Sequence, residues 1–164
     1  MKIEIVKLSQ YSGKKTTFYS AIIDDNNITL FDQFLEENHQ NFFNDVEDIL
    51  FRMELMAHQT GARPNMFKEN EGRLGDLVCA LYDLPHSNLR LYCVRLGSSI
   101  IILGGGGPKS KNIRALQENP KLTSENYLIR SISNMIHLQT KDREIYWSKN
   151  EMELLGNLTF ETDE

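Results

Sequence analysis

Residues 60–121 hold nine Lys or Arg against five Asp or Glu, and their bases are the side chains best suited to chemistry. Among them are Arg63, Lys68, Arg73, Arg90, Arg95, Lys109, Lys111 and Arg114. Within Asn88–Leu96, Arg90 and Tyr92 lie two residues apart. A strand therefore puts them on one face and Leu89, Leu91 and Cys93 on the other. Arg grips a phosphate through two parallel N–H donors, and a Tyr ring stacks on an unpaired base, so the pair suits RNA. The plainer explanation is a sheet surface laced with salt bridges. Arg95 has the opposite parity, which places it at the strand end or on the other face.

Other chemistries find less support. His39, His58, His86 and His137 do not pair at metal-ligand spacing, so no metal site is expected. His86, beside Pro85, reads as a turn residue, and with Glu71 it is the nearest titratable candidate for acid–base work. Cys79 and Cys93 fall inside apolar strands and read as buried thiols; two cysteines build neither a disulfide framework nor a four-thiolate zinc site. No Gly-x-Ser-x-Gly elbow is present. The run Gly104–Gly107 before Pro108-Lys109-Ser110-Lys111 invites a phosphate-loop reading. That motif needs Gly immediately before its Lys, where Pro108 stands without an N–H to donate. The run is therefore expected to be a flexible exit loop, and no cofactor is implied.

Several elements must position these residues. Lys2–Leu8 alternates and Thr17–Asp24 is rich in β-formers, with Gly13 between them, which predicts an N-terminal β-hairpin. Thr29, followed three residues on by Asp32, opens a helix carrying Leu30, Phe31, Phe34 and Leu35. Phe42, Val46, Ile49, Leu50 and Met53 fall on one stripe of a second helix, which Gly61 closes and Pro64 cannot continue. The short connection favours antiparallel packing of the two. Leu77–Leu84, Asn88–Leu96 and Ser99–Leu103 read as a three-stranded meander. Thr123 or Ser124 caps a last helix bearing Tyr127, Leu128, Ile132, Met135 and Ile136, and residues 144–164 are ambiguous.

The net charge of −5 over 164 residues argues at first against a nucleic-acid partner, but it is unevenly spread. Residues 1–23 are net +3 and residues 60–121 net +4, whereas residues 24–59 hold nine acids against Arg52 alone. Such a chain can present a basic face and an acidic face together. No apolar run approaches the roughly 20 residues of a bilayer span, and the opening residues alternate rather than form a signal-peptide block. A cytoplasmic protein without membrane contact is expected.

The meander carries a family resemblance. Gly72-Arg73-Leu74-Gly75-Asp76-Leu77, then Ser87-Asn88-Leu89-Arg90-Leu91-Tyr92-Cys93-Val94, Ile100-Ile101-Ile102-Leu103 and Lys109-Ser110-Lys111 together resemble the RelE/HigB type of bacterial toxin. The similarity is greatest to its phage-derived, HigB-like branch. It covers about residues 28–122, leaving the N-terminal hairpin and residues 140–164 as elaborations on one toxin domain spanning 1–164, with a helical extension over about 123–164.

The resemblance implies an α+β fold: the hairpin, two antiparallel helices on a small twisted antiparallel sheet, and a C-terminal helix. It implies the toxin of a toxin–antitoxin pair, an endoribonuclease that cleaves messenger RNA on the ribosome without a metal and is restrained by an antitoxin, expected to be a helix-turn-helix protein. Arg90, Lys109 and Lys111 fall at its catalytic positions, and Lys68 and Arg73 at the basic entry to its sheet, with Tyr92 and His86 completing the RNA-binding set. Two features depart from the family: the chain is acidic overall, and the family's terminal catalytic Tyr or His has no clear counterpart near Asn112–Ile113. The alternative is a non-catalytic binding protein of the same fold, an inactive toxin or one that poisons another target.

Overall fold

The computed structural model describes residues 1–68, 77–81, 86–109 and 119–163. Strand β1 (Lys2–Lys7) turns through a 3₁₀ turn at Ser9–Tyr11 into β2 (Thr17–Ile23). Helices α1 (Leu30–Asn38) and α2 (Phe43–Leu55) follow, and α2 ends in a π-turn at Met56–Thr60. Next come β3 (Phe67–Lys68), β4 (Val78–Leu81), β5 (Leu89–Leu96) and β6 (Ile100–Pro108). Helix α3 (Pro120–Lys141), the hairpin β7 (Ile145–Trp147) and β8 (Leu154–Gly156), and β9 (Thr159–Glu161) complete the chain.

The expected caps hold where residues can make them. Thr29 Oγ1 accepts the Asp32 N–H at 3.0 Å. Gly61, at φ +70°, closes the π-turn in a conformation that a residue with a Cβ resists. Helix α3 starts earlier than expected. Asn119 Oδ1 accepts the Leu122 N–H at 3.1 Å, and Pro120 takes the first helical position, where its missing N–H costs nothing.

The fold expectation is overturned. The strands form one seven-stranded mixed sheet in the order β3-β4-β5-β6-β2-β1-β9, in place of a small antiparallel sheet under two helices. The β1–β2 hairpin is built into this sheet, because β2 pairs in parallel with β6 (Thr17 opposite Ile100, Tyr19 opposite Ile102). The C-terminal β9 pairs antiparallel with β1. Both faces are covered. One cluster sets Phe31, Phe34, Val46, Ile49 and Met53 of α1 and α2 against Phe18, Leu89, Leu91, Cys93, Ile101 and Leu103. The other sets Leu122, Ile129, Ile132 and Ile136 of α3, with Ile145 and Leu154, against Ile3, Ile5, Tyr19, Tyr92, Val94, Ile100 and Ile102.

The physical reason is legible in β5. Leu91-Tyr92-Cys93-Val94 is continuously apolar, as expected of a strand covered on both faces. Leu91 and Val94 point to opposite sides and both are buried, without the bulge near Cys93–Val94 that one-sided burial demands. An irregularity does occur one step earlier, and β6 carries it. Leu91 is opposite Gly106 and Cys93 opposite Leu103, so two residues, Gly104 and Gly105, face Tyr92.

Parallel pairing of β2 and β6 is confined to Thr17–Tyr19 and Ile100–Ile102. Just beyond it, the Ser20 hydroxyl donates to Leu103 O at 2.7 Å and accepts the Phe31 N–H at 3.1 Å, pinning the first turn of α1 there. Leu30 belongs to the cluster under α3 and Phe31 to the other, so α1 reaches both layers where the two strands part.

Candidate nucleic-acid interface

The glycine run is a strand, not an exit loop, and side chains of the chain's own helix α3 fill the space its missing side chains leave. A Cβ on Gly104 would lie 2.9 Å from Ile129 Cδ1, one on Gly105 would strike the Glu125 carboxylate, and one on Gly107 would lie 3.2 Å from Lys121 Cγ. Two strand residues rise about 6.6 Å and one helical turn of four residues about 6 Å, so α3 runs antiparallel to β6 and nearly in step with it. Its first turn therefore rests on the C-terminal end of β6.

That end of the sheet gathers cations. Arg90 is paired directly with Gly107, and the Lys109 N–H donates to Asn88 O at 2.8 Å. Gly107 and Lys109 share a face along β6, and register puts Arg90 on that same face. Lys121 comes to it from α3. Arg90, Lys109 and Lys121 thus surround Gly107, and the first two are half-buried. Asn119, the cap of α3, donates from Nδ2 to Pro108 O at 3.3 Å and ties the helix N-terminus to the same place.

Two carboxylates hold Lys121: Glu125 at 3.0 Å and Glu37 of α1 at 3.1 Å. Burial draws its pKa down, but the hydrogen bonds and charges of Glu125 and Glu37 outweigh that, leaving it above the ordinary lysine value. Glu125 places Oε1 on Lys121, while its buried Oε2 has no hydrogen-bond partner among the described residues. The arrangement sets Arg90 and Lys109 beside a helix N-terminus, with the charge of Lys121 shared between Glu125 and Glu37.

The other expected site residues are dispersed. Tyr92 is 0% exposed beneath α3, so no base can stack on it, and the face it shares with Arg90 is not open. Lys68 is exposed on the edge strand β3, opposite Ala80, which is itself opposite Tyr92. Two strand spacings and two residues put it roughly 12 Å from Arg90. His86 is exposed in the turn leading to β5, at the same end of the sheet as Arg90 and Lys109. Arg73, Lys111 and Glu71 lie outside the described residues. Arg95 serves the scaffold, donating to Ala62 O at 3.4 Å with its guanidinium 5.4 Å from the Phe67 ring centroid.

Lys121 and Glu125 were not expected at the site. Their signal is Asn119-Pro120, a helix start, followed by Lys and Glu four residues apart on one helix face. Starting the helix at Thr123 or Ser124 leaves Lys121 outside it.

Among the described residues no group of three or more His, Cys, Asp or Glu could hold a metal ion, and no helix is long and apolar enough to cross a membrane. No protein-family model, curated protein or solved structure matches the chain.

Proposed function

We propose that the chain is the toxin of a toxin–antitoxin pair, similar to the RelE/HigB type, and cleaves messenger RNA on the ribosome without a metal. One observation carries the reading: Arg90 and Lys109, which the strand motif puts at catalytic positions, share a face around Gly107 and are joined there by Lys121. The reading rests on that cluster and the strand motif, not on the architecture, which differs from the compact antiparallel fold the resemblance implies. Arg90 and Lys109 neutralise charge that develops on the scissile phosphate, and Lys121 holds a neighbouring phosphate. Glu125 or His86 takes the proton of the 2′-hydroxyl as its oxygen bonds to phosphorus, the P–O5′ bond breaks, and a water protonates the departing 5′-oxygen.

Burial of Tyr92 favours a second reading. Without an aromatic platform for a base, the same cations suit a non-catalytic protein that binds phosphate or a protein partner. Arg90→Ala and Lys109→Ala separate the two. Losing one preorganised donor lowers turnover about a hundred- to thousand-fold, whereas a half-exposed strand Arg with a structural role costs about 0.5 kcal/mol of stability. Induced expression should arrest growth and give translation-dependent messenger cleavage, both lost in Arg90→Ala at an unchanged thermal midpoint. Arrest without cleavage in the wild type favours the binding protein, and neither arrest nor cleavage refutes the toxin assignment.

A further inference from the structure

The outer face of α2 combines exposed aromatic rings with uncompensated acid. Phe43 is 51% and Phe51 58% exposed, the two largest aromatic exposures on α1 and α2. At 100° per residue, Phe43, Glu54, Glu47 and Phe51 fall in that order within an arc of about 80°, centred about 130° around the helix from the buried stripe of Val46, Ile49 and Met53. The two rings are about 12 Å apart along the axis. His39 packs on Phe43 with ring centroids 5.0 Å apart and approaches Glu47 at 3.9 Å, so the N-terminal end of the stripe is ordered. At the other end the stripe runs into a hollow of about 290 Å³ lined by Gln10, Tyr11, Leu50, Glu54 and His58. Glu54 has no ion-pair partner among the described residues.

Charge selects the occupant. On α2 itself Asp45, Glu47, Asp48 and Glu54 stand against Arg52 alone, and Arg52 is paired with Asp48 of the same helix. Nucleic acid and anionic membrane are repelled by such a surface. A second copy of this chain meeting it face to face would bring the same acid and is repelled as well. Two rings with acids between them match an amphipathic helix whose apolar positions cover the rings and whose Lys or Arg side chains flank them.

We infer that the outer face of α2, from Phe43 to the hollow at Glu54, docks a basic amphipathic helix of a protein partner. Its apolar side chains seat on Phe43 and Phe51, one cation pairs with Glu47, and a second enters the hollow beside Glu54 and Tyr11. Naming that partner as the antitoxin rests on the proposed function; the docking itself does not. The Phe43 end of the face adjoins Asn88, whose carbonyl oxygen accepts the Lys109 N–H, so the partner helix sits beside the Arg90–Lys109–Lys121 cluster while resting on acid and not on its cations.

The probe is a fluorescein-labelled 18-residue helical peptide with a Leu stripe flanked by Lys and Arg, compared with a twin whose bases are replaced by Glu. Anisotropy should show the basic peptide bound at least tenfold more tightly than its twin. Affinity should fall at least tenfold in the double variant Glu47→Lys with Glu54→Lys, and again in Phe43→Ser with Phe51→Ser. Thermal midpoints and any messenger cleavage should be unchanged, because none of the four residues belongs to the cation cluster. Binding that is equal for both peptides, or unaffected by both double variants, overturns the inference. So does a concentration-dependent dimer abolished by Phe43→Ser with Phe51→Ser, which makes a second copy the occupant. A wild type that binds the peptide as described but neither arrests growth nor cleaves RNA refutes the toxin reading and leaves the docking face standing.

Discussion

Four consecutive glycines are a poor choice for a strand, since each is about 0.5–1 kcal/mol worse than Ala in a regular element. Here they are required by proximity, and not equally. A Cβ on Gly106 would overlap the Arg90 carbonyl oxygen, a backbone atom of the paired strand, whereas one on Gly107 meets only Lys121 Cγ at 3.2 Å. Gly106→Ala should therefore cost about 2–3 kcal/mol by overpacking, and Gly107→Ala less than about 1 kcal/mol because the Lys121 stem can move. Urea denaturation of the two variants decides; equal midpoints would contradict the contact assignment. Cys79 and Cys93 are opposite one another in register and not disulfide-bonded, and burial raises the Cys93 thiol well above its ordinary pKa. That agrees with their sequence reading as buried thiols.

At the scale of elements, much of the architecture was legible. Period-two alternation gave β1 and β5, the content of β-formers gave β2, the apolar stripe gave α2, and Thr29 marked the start of α1. Pairing between chain neighbours was legible, since β1–β2 and β4–β5–β6 pair antiparallel as the hairpin and meander predict. Long-range pairing was not: nothing local to Thr17–Ile23 announces a parallel partner some 80 residues away at Ile100–Ile102. The site was half legible for the same reason. Parity placed Arg90 and Tyr92 on one face, but only α3 decides that this face is covered, burying Tyr92 and importing Lys121. The ion pairs of Lys121 join α3 to α1 at that point and carry a pH signature. Its pKa is raised in the folded chain, so its contribution is fully present below the unfolded value near 10.5 and lost as pH rises through the higher folded value. Solvent screens the group, so the pairs are worth about 0.5 kcal/mol. Lys121→Met should lower the thermal midpoint by a constant small amount from pH 7 to 10. The gap should close above about pH 10.5; a gap that persists there would mean that Lys121 stabilises through its stem and not its charge.

For the whole molecule, continuity of the sheet decides what can be removed. The resemblance treats residues 28–122 as a core with additions at both ends, yet those additions supply β1, β2, nearly all of α3 and the β7–β8 hairpin. Of the seventeen buried residues described in the cluster under α3, ten lie outside residues 28–122: Ile3, Ile5, Tyr19, Ala21, Ile129, Ile132, Ile136, Ile145, Leu154 and Phe160. Burying a large apolar side chain is worth about 1.5–3 kcal/mol, so their loss removes on the order of 15–25 kcal/mol. A typical domain has only about 5–15 kcal/mol of net stability. Truncation also removes the ordering cost of the deleted residues, so the decisive loss falls on the seven that stay behind, Leu30, Val78, Tyr92, Val94, Ile100, Ile102 and Leu122, whose layer loses most of its packing partners. The edge of β6 that β2 covers at Ile100–Ile102 would also be left as unpaired backbone beside Ile101, Ile102 and Leu103, an aggregation surface. A fragment of residues 28–122 should therefore show no cooperative thermal transition and little amide dispersion. It should also precipitate or bind a hydrophobic dye, whereas the full chain melts in a single step. A fragment that folds with a sharp transition would mean that the helices α1 and α2 and the meander stand alone, and that the second layer is dispensable.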